Sequence, residues 1–274
     1  MSLLTMRMFA MGALYAVFTG GAFADSELLG TKFTPLGADP SASADGAIPA
    51  WTGGLTKPPE GYVKSDPHID PFDRDQPLFK ISFENVDQFR PRLTKTQLAL
   101  ISKFSDSYYI NVYKTRRSCA VPEFVYDATK RNLETAAMVD DGNGFIGAFV
   151  GVPFPIPKSA KEIMWNYQTY YYGHRFSAKT TGGVMYDDGA FTRSQRQDIR
   201  YSFYNNPKTA SFEDLGGELF KWTGRYSAPA RMNGLAFSMT NTINQVEKPR
   251  YGNMYRPDTR RIMRSVPNLS LIHI

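Results

Sequence analysis

An acidic segment, DPHIDPFDRD (Asp66–Asp75), surrounds the imidazole of His68 with four carboxylates. Closely spaced oxygen ligands of this kind suit a hard cation such as calcium. The segment lacks the glycine position and the closing glutamate of a calcium loop, and its interleaved prolines favour turns in which aspartates bond their own backbone. We therefore expect turns here and no metal site.

A glycine-rich stretch that leads into a lysine and a serine, GNGFIGAFVGVPFPIPKSAKE (142–162), raises the question of a phosphate-binding loop. Cradling a phosphate requires a row of backbone N–H donors. Pro153, Pro155 and Pro157 have none, and no glycine directly precedes Lys158. The stretch instead predicts an extended entry into a helix, which argues against nucleotide binding.

The chain offers few nucleophiles and bases for covalent catalysis. Cys119 is the only cysteine, which excludes an internal disulfide and a multi-cysteine zinc site. His68 and His174 are the only histidines before the final residues, and no HExxH motif, paired-carboxylate frame or Ser/His/Asp order is present. The sequence thus predicts no catalytic residue, no cofactor and no metal, although a site assembled in space stays open.

The charge pattern bears on possible partners. The formal net charge is +6, but lysines and arginines are scattered, with local pairs only at Arg116/Arg117 and Arg260/Arg261. A nucleic-acid binder would concentrate its cations in a stripe or patch. We expect no nucleic-acid partner.

The first 24 residues have the features of a secretion signal. Arg7 gives a positive start, MFAMGALYAVFTGG is an apolar run too short to span a bilayer comfortably, and Ala22 and Ala24 form an A-x-A site. We expect cleavage after Ala24, with an uncleaved membrane anchor as the alternative. No later segment is apolar for long enough to span a bilayer, so the mature chain is predicted not to be transmembrane.

The last six residues, LSLIHI (269–274), match the translation of a transposon end used in sequencing libraries. We treat them as an artefact and expect the natural protein to continue past Asn268, so that this chain is truncated.

The rest of the chain divides into an irregular arm (25–92) and a helical and then β-rich part of one larger domain (93–268). Apolar side chains anchor the arm and distinguish it from a linker: Trp51, Tyr62, Phe72, Leu78 and Phe79. Helices are predicted after Thr94, from about Pro122 to Met138, and after Ser159, which forms a capping box with Glu162. An apolar stripe on the third helix is predicted to pack on a sheet: Ile163, Met164, Tyr167, Tyr170, Tyr171 and His174.

After residue 175, short runs with period-two patterns alternate with turn signals such as Asp187–Gly189. Predicted strands are AFTRSQRQD, IRYSFYN, ELFKWTGRYS, RMNGLAFSMTNTI and RRIMRSV. Their order predicts an antiparallel sheet with one apolar and one polar face, and hence an α+β protein.

Several segments, in order along nearly the whole mature chain, resemble one bacterial family. They are LGTKFTPLGADPSASADGAIPAWTGGLTKPPEGY (29–62), DPFDRDQPLF (70–79), LTKTQLALISKFSDSYYINVYKTRRS (93–118), GNGFIGAFVGVPFPIPKSAKEIMWN (142–166) and RPDTRRIMRSVPN (256–268). The family is domain-of-unknown-function family 1329, related to the outer-membrane lipoprotein-sorting proteins LolA and LolB. The resemblance implies a curved antiparallel sheet that wraps helices around an apolar cavity, and a periplasmic location in a Gram-negative envelope.

Our first functional hypothesis is a non-enzymatic periplasmic carrier of a lipid or another hydrophobic small molecule. An acyl chain exposes methylenes that each cost about 0.8 kcal/mol in water, so it crosses an aqueous compartment best inside an apolar cavity. The candidate wall residues come from the third helix and the sheet: Met164, Tyr167, Tyr171, Tyr201, Phe203, Phe220, Trp222, Phe237 and Met239. For any single one of them, a role as an ordinary core residue is favoured.

The alternative is an adaptor without a ligand of its own, which docks on an envelope transporter of the resistance-nodulation-division type or on an outer-membrane partner. The long anchored arm and the modest positive charge suit docking. An enzyme of unknown reaction ranks third, because only the acidic segment near His68 supports it.

Overall fold

The computed structural model describes residues 27–63 and 69–264. The predicted signal peptide, the six-residue tail, Asp66 and His68 lie outside the described residues. The described residues form two compact units, one within 39–121 and one of 27–38 together with 122–264. Residues 93–121 therefore group with the arm that precedes them, whereas the sequence suggested a division at Arg92.

The described helices and strands confirm the α+β class. In chain order they are β1 (Phe79–Ile81), α1 (Lys95–Lys103), β2 (Ile110–Val112), α2 (Glu123–Thr135), β3 (Ala137–Val139), β4 (Gly144–Ile146), α3 (Ala160–Thr169), β5 (Arg175–Met185), β6 (Phe191–Ser202), β7 (Glu218–Ala228), β8 (Ala236–Thr242), β9 (Tyr251–Arg256) and β10 (Arg261–Arg264). Short 3-10 helices connect some of them at Val86–Arg92, Asp140–Gly142, Glu213–Leu215 and Ala230–Met232.

The unit of residues 39–121 is a β1–β2 ribbon beside α1, with a small core of Ile81, Val86 and Ile101. Thr94 is the N-cap of α1, as predicted, and it forms a capping box with Gln97. Within the same unit, the indole N–H of half-buried Trp51 donates to the carbonyl oxygen of Cys119 at 3.2 Å. Trp51 thus anchors an irregular segment to residues far along the chain.

The other unit is dominated by one antiparallel sheet with the strand order β10-β9-β8-β7-β6-β5. The predicted turn at Asp187–Gly189 joins β5 to β6, and a longer segment with the 3-10 helix Glu213–Leu215 joins β6 to β7. The predicted strands AFTRSQRQD and IRYSFYN belong to one continuous strand, β6. Two strands of this sheet, β5 and β9, were missed. The exposed β5 contains Gly182 and Gly183 and lacks an apolar alternation, and β9 is interrupted by Gly252, so in both cases pairing with a neighbour supplies what local preference does not.

An aromatic core joins α3 to the strands of this unit. The ring of Phe145 is fully buried and contacts the rings of Trp165, Tyr204, Phe154 and Phe212, with centroids 5.1–6.4 Å apart. The indole N–H of Trp165 donates to the carbonyl oxygen of Gly142 at 3.0 Å, so its polar atom is satisfied.

The predicted capping box of α3 is confirmed, but its predicted stripe is wrong. Ser159 and Glu162 cap the helix, which ends at Thr169 and so excludes Tyr170, Tyr171 and His174. The buried side chains are Trp165 and Thr169, whereas Met164 and Tyr167 are 51% and 69% exposed. Because Trp165 fills the space beside Phe145, the helix buries the side that carries Trp165 and exposes the side that carries Met164 and Tyr167. The second helix, α2, also ends before the predicted Met138, because Met138 pairs with Phe145 in the β3–β4 ribbon.

Phe145→Ala should lower the free energy of unfolding by about 3–5 kcal/mol, because it opens a cavity among four rings. Urea unfolding followed by circular dichroism measures the change. Ile163→Ala on α3 is the control, since Ile163 is 55% exposed and should shift stability by no more than about 0.5 kcal/mol. Equal shifts in the two variants would show that the ring cluster is not the core.

Gly54→Ala should destabilise residues 39–121 more than Gly53→Ala does. Both glycines have positive φ, +74° and +100°, but only at Gly54 would a Cβ atom meet the Cys119 carbonyl oxygen, at 2.3 Å. Backbone strain costs about 1–2 kcal/mol at either position, and overpacking adds about 1–3 kcal/mol at Gly54. Hydrogen exchange of the Leu55 amide, which donates to Ser118, reports the difference; indistinguishable exchange rates would contradict the close approach.

Candidate functional site

One face of the sheet combines arginines with aromatic rings. Successive side chains of a strand point to opposite faces, so Arg196, Asp198 and Arg200 of β6 share one. The register pairs Arg200 with Trp222 and places Gly224 opposite Asp198. The next pairing places Met239 beside Trp222 and Phe237 beside Gly224. We call this surface the arginine–aromatic face; it comprises Arg196, Asp198, Arg200, Phe220, Trp222, Tyr226, Phe237 and Met239.

A buried carboxylate lies at the centre of this face. Asp198 is 4% exposed and accepts hydrogen bonds from Arg196 Nε (2.9 Å), Thr180 Oγ1 (2.9 Å) and Trp222 Nε1 (3.1 Å). Gly224 leaves the room for it, because a Cβ atom there would lie 2.7 Å from Asp198 Oδ1 and 2.4 Å from the ring of Phe237. The carboxylate is thus held from three strands, β5, β6 and β7.

Arg196 has a counter-ion, a hydroxyl acceptor and aromatic neighbours. Its guanidinium lies 5.3–5.5 Å from the ring centroids of Trp222, Tyr226 and Phe237, and it donates to the Tyr226 hydroxyl at 3.2 Å. Burial opposes its charge, but the hydrogen bonds with Asp198 and Tyr226 outweigh that effect and raise the pKa of Arg196. Its role is therefore to hold the face together.

Arg200, four residues further along the strand, has no such partner among the described residues. Its guanidinium stacks on the rings of Phe220, 3.6 Å from the centroid, and Tyr172, 4.4 Å from the centroid. Its Nε is buried and has no hydrogen-bond partner among the described residues, and the hydroxyl of the adjoining Tyr172 is in the same state. Burial lowers the pKa of Arg200 to about 10, so the side chain keeps its charge at neutral pH.

The structure brings together four of the predicted wall residues. Phe220, Trp222, Phe237 and Met239 lie half-buried on the arginine–aromatic face. In chemical terms, this face offers apolar contact area beside a desolvated cation, which suits binding.

The other five predicted residues lie elsewhere. Tyr201 pairs with Lys221 on the opposite face, and its ring contacts Phe203 at 4.9 Å, so the expectation of one shared apolar face is wrong for this pair. Met164 and Tyr167 are on the exposed side of α3. Tyr171 follows α3 and packs edge-on against Phe124 at 5.8 Å; burial raises the pKa of its hydroxyl.

Sequence reasoning missed Arg196, Asp198 and Arg200. Their signal is a charge at every second residue of a strand whose neighbours carry aromatic residues at the same period. That signal becomes readable only once the register of β6 against β7 is known, because a one-residue slip would move all three charges to the other face.

A polar cleft of about 510 Å³ opens where β5, β6 and β7 meet at the far end of the sheet. Lys179, Arg196 and Arg225 line it, together with threonine, glutamine and other polar side chains. None of the predicted wall residues borders it. Its lining is too polar for a hydrocarbon chain.

Two further properties concern metals and membranes. In the part of the chain that the structure describes, no three His, Cys, Asp or Glu side chains gather as a metal site would require. None of the helices within residues 27–63 and 69–264 combines the length and apolar character needed to cross a bilayer.

Comparison with known proteins identifies relatives of unassigned activity. Residues 80–271 match the profile of one family, described as "Protein of unknown function (DUF1329)". An uncharacterized protein of Pseudomonas aeruginosa is 39% identical over 238 residues, which are 86% of this chain and 52% of the relative. The chain therefore spans about half the length of the curated relative it matches. No solved structure matches the chain.

Asp198→Asn should lower the free energy of unfolding by about 2–3 kcal/mol, because it leaves the half-buried Arg196 without its counter-ion. Asp258→Asn is a matched control, since Asp258 also pairs with an arginine two residues before it, Arg256, but both side chains are about half exposed. Screening by water makes such a pair weak, so thermal unfolding of the control should resemble that of the wild type. An equal shift in both variants would refute a central role for Asp198.

Proposed function

We propose that this chain, which belongs to the DUF1329 family of proteins of unknown function, is an exported, non-enzymatic binding protein that carries a lipid or another hydrophobic ligand through the periplasm. The observation that carries the proposal is the position of Phe220, Trp222, Phe237 and Met239 on a single half-buried sheet face. Aromatic and methionine side chains on an incompletely covered face offer apolar area that a ligand can bury.

Packing on this face supports binding of an extended apolar molecule. The ring of Trp222 stands edge-on to that of Phe237, with centroids 5.0 Å apart, and its indole N–H is occupied by Asp198. The rings therefore present carbon surface with their polar atoms satisfied. A hydrocarbon chain gains about 25 cal/mol for each Å² of apolar surface it buries against them.

The sorting-protein resemblance supplies the architectural part of the proposal. In LolA- and LolB-like proteins a curved antiparallel sheet wraps helices and an apolar cavity, and a six-stranded antiparallel meander with one aromatic face is compatible with that arrangement. The predicted signal peptide supports export to the periplasm. Because this chain spans about half of its relative, the ligand and the partners of the whole protein are part of the proposal.

Binding of the uncharged dye N-phenyl-1-naphthylamine to residues 25–268 tests the proposal. We expect saturable fluorescence enhancement, and Phe237→Ala should weaken it by about tenfold, equivalent to about 1.4 kcal/mol. Tyr201→Ala is the matched control, because Tyr201 is also a half-buried aromatic residue of this sheet but lies on the opposite face; its affinity should equal that of the wild type.

Absence of saturable binding, or equal losses in the two variants, would contradict a carrier role for this face. Capture of a transporter component by a chain that binds no dye would favour the adaptor hypothesis instead. Circular dichroism of each variant establishes that it is folded.

A further inference from the structure

Two arginines on the same face of β6 differ in the partners that surround their guanidinium groups. Arg196 has the buried carboxylate of Asp198 and the hydroxyl of Tyr226 as acceptors. Arg200 has two aromatic rings against its guanidinium plane and a buried Nε with no acceptor among the described residues. Stacking satisfies the faces of a guanidinium, whereas the N–H groups in its plane still require acceptors.

Asp198 does not act as the counter-ion of Arg200, although it is the nearest acidic residue along the strand. Its two oxygens are already engaged by Arg196, Thr180 and Trp222. Within the part of the chain that the structure describes, no carboxylate forms an ion pair with Arg200. The site therefore holds a desolvated positive charge that lacks a counter-ion of its own.

We infer that Arg200 binds the anionic head of an amphiphile, a carboxylate or a phosphate, whose hydrocarbon chain lies across Trp222 and Met239. The inference rests on the proposed function and names the class of ligand. A partly buried guanidinium binds an anion more strongly than an exposed one does, because water competes less and the local dielectric is lower. The hydroxyl of Tyr172, whose ring lies 4.4 Å from the guanidinium, is likewise buried without a partner among the described residues.

The strand register places the residues of the proposed ligand site in one row across the sheet. Arg200, Trp222 and Met239 are direct neighbours across β6, β7 and β8. Adjacent strands are about 4.8 Å apart, so the backbone positions of the row span about 10 Å from Arg200 to Met239. The row thus begins with a charge and continues with apolar surface. A fatty acid or an alkyl phosphate has the matching order of charged head and apolar tail.

Calorimetric titration of residues 25–268 with dodecanoate, dodecyl phosphate, dodecanol and inorganic phosphate tests this inference. In the wild type both anionic amphiphiles should bind at least tenfold more tightly than dodecanol, and inorganic phosphate should bind far more weakly than dodecyl phosphate. This comparison requires no variant. Equal affinities for the acid and the alcohol would overturn the inference, and so would phosphate that binds as tightly as its dodecyl ester.

Variants locate the charge. Arg200→Gln should reduce the affinity for both anions to that for dodecanol while leaving dodecanol unchanged, and Arg200→Lys should restore part of the preference. Arg225→Gln is the control, since Arg225 lies on the opposite face and lines the polar cleft. A loss of anion preference in Arg225→Gln but not in Arg200→Gln would move the site to that cleft and overturn the inference.

The same titrations separate the two proposals. Dodecanol that binds without any preference for anions would leave the carrier standing and remove its head-group site. Failure of all three amphiphiles to bind would remove the carrier, and the assignment of Arg200 with it.

Discussion

The arginine–aromatic face depends on the hydrogen bonds that the carboxylate of Asp198 accepts. This carboxylate accepts from Thr180 on β5, Arg196 on β6 and Trp222 on β7, so one buried charge links three strands and fixes the orientation of an indole. Burying a carboxylate is unfavourable unless its oxygens accept hydrogen bonds. Here the donors are the residues that shape the face, and the lack of a side chain at Gly224 leaves space for the carboxylate.

This arrangement explains why neighbouring arginines differ. Since Asp198 is engaged by Arg196 and its other donors, Arg200 receives aromatic contacts but no counter-ion from the residues that the structure describes. The face consequently has a neutral, cross-linked centre and a desolvated cation beside it, with rings between them. Such a surface combines apolar area with a directed charge, and both the carrier proposal and the assignment of Arg200 draw on that combination.

Local signals predicted much of the secondary structure. The cap at Thr94, the capping box at Ser159 and the turn at Asp187–Gly189 are interactions between residues a few positions apart, so the sequence alone reveals them. The burial of α3 is different. Its tyrosine stripe looked like the inner side, but the cavity beside Phe145 accepts Trp165, a fit that depends on residues from distant segments.

By itself, then, the sequence determined the α+β class, the family, the helix starts and four of the residues on the sheet face, three aromatic and one methionine. Only the tertiary structure decided that Tyr201 and Phe203 lie on the other side, and that Arg196 and Asp198 form a pair which leaves Arg200 alone. The physical reason is that residue type sets what a side chain can bind. Strand register, set by pairing between distant segments, sets which face it occupies and which partners it meets.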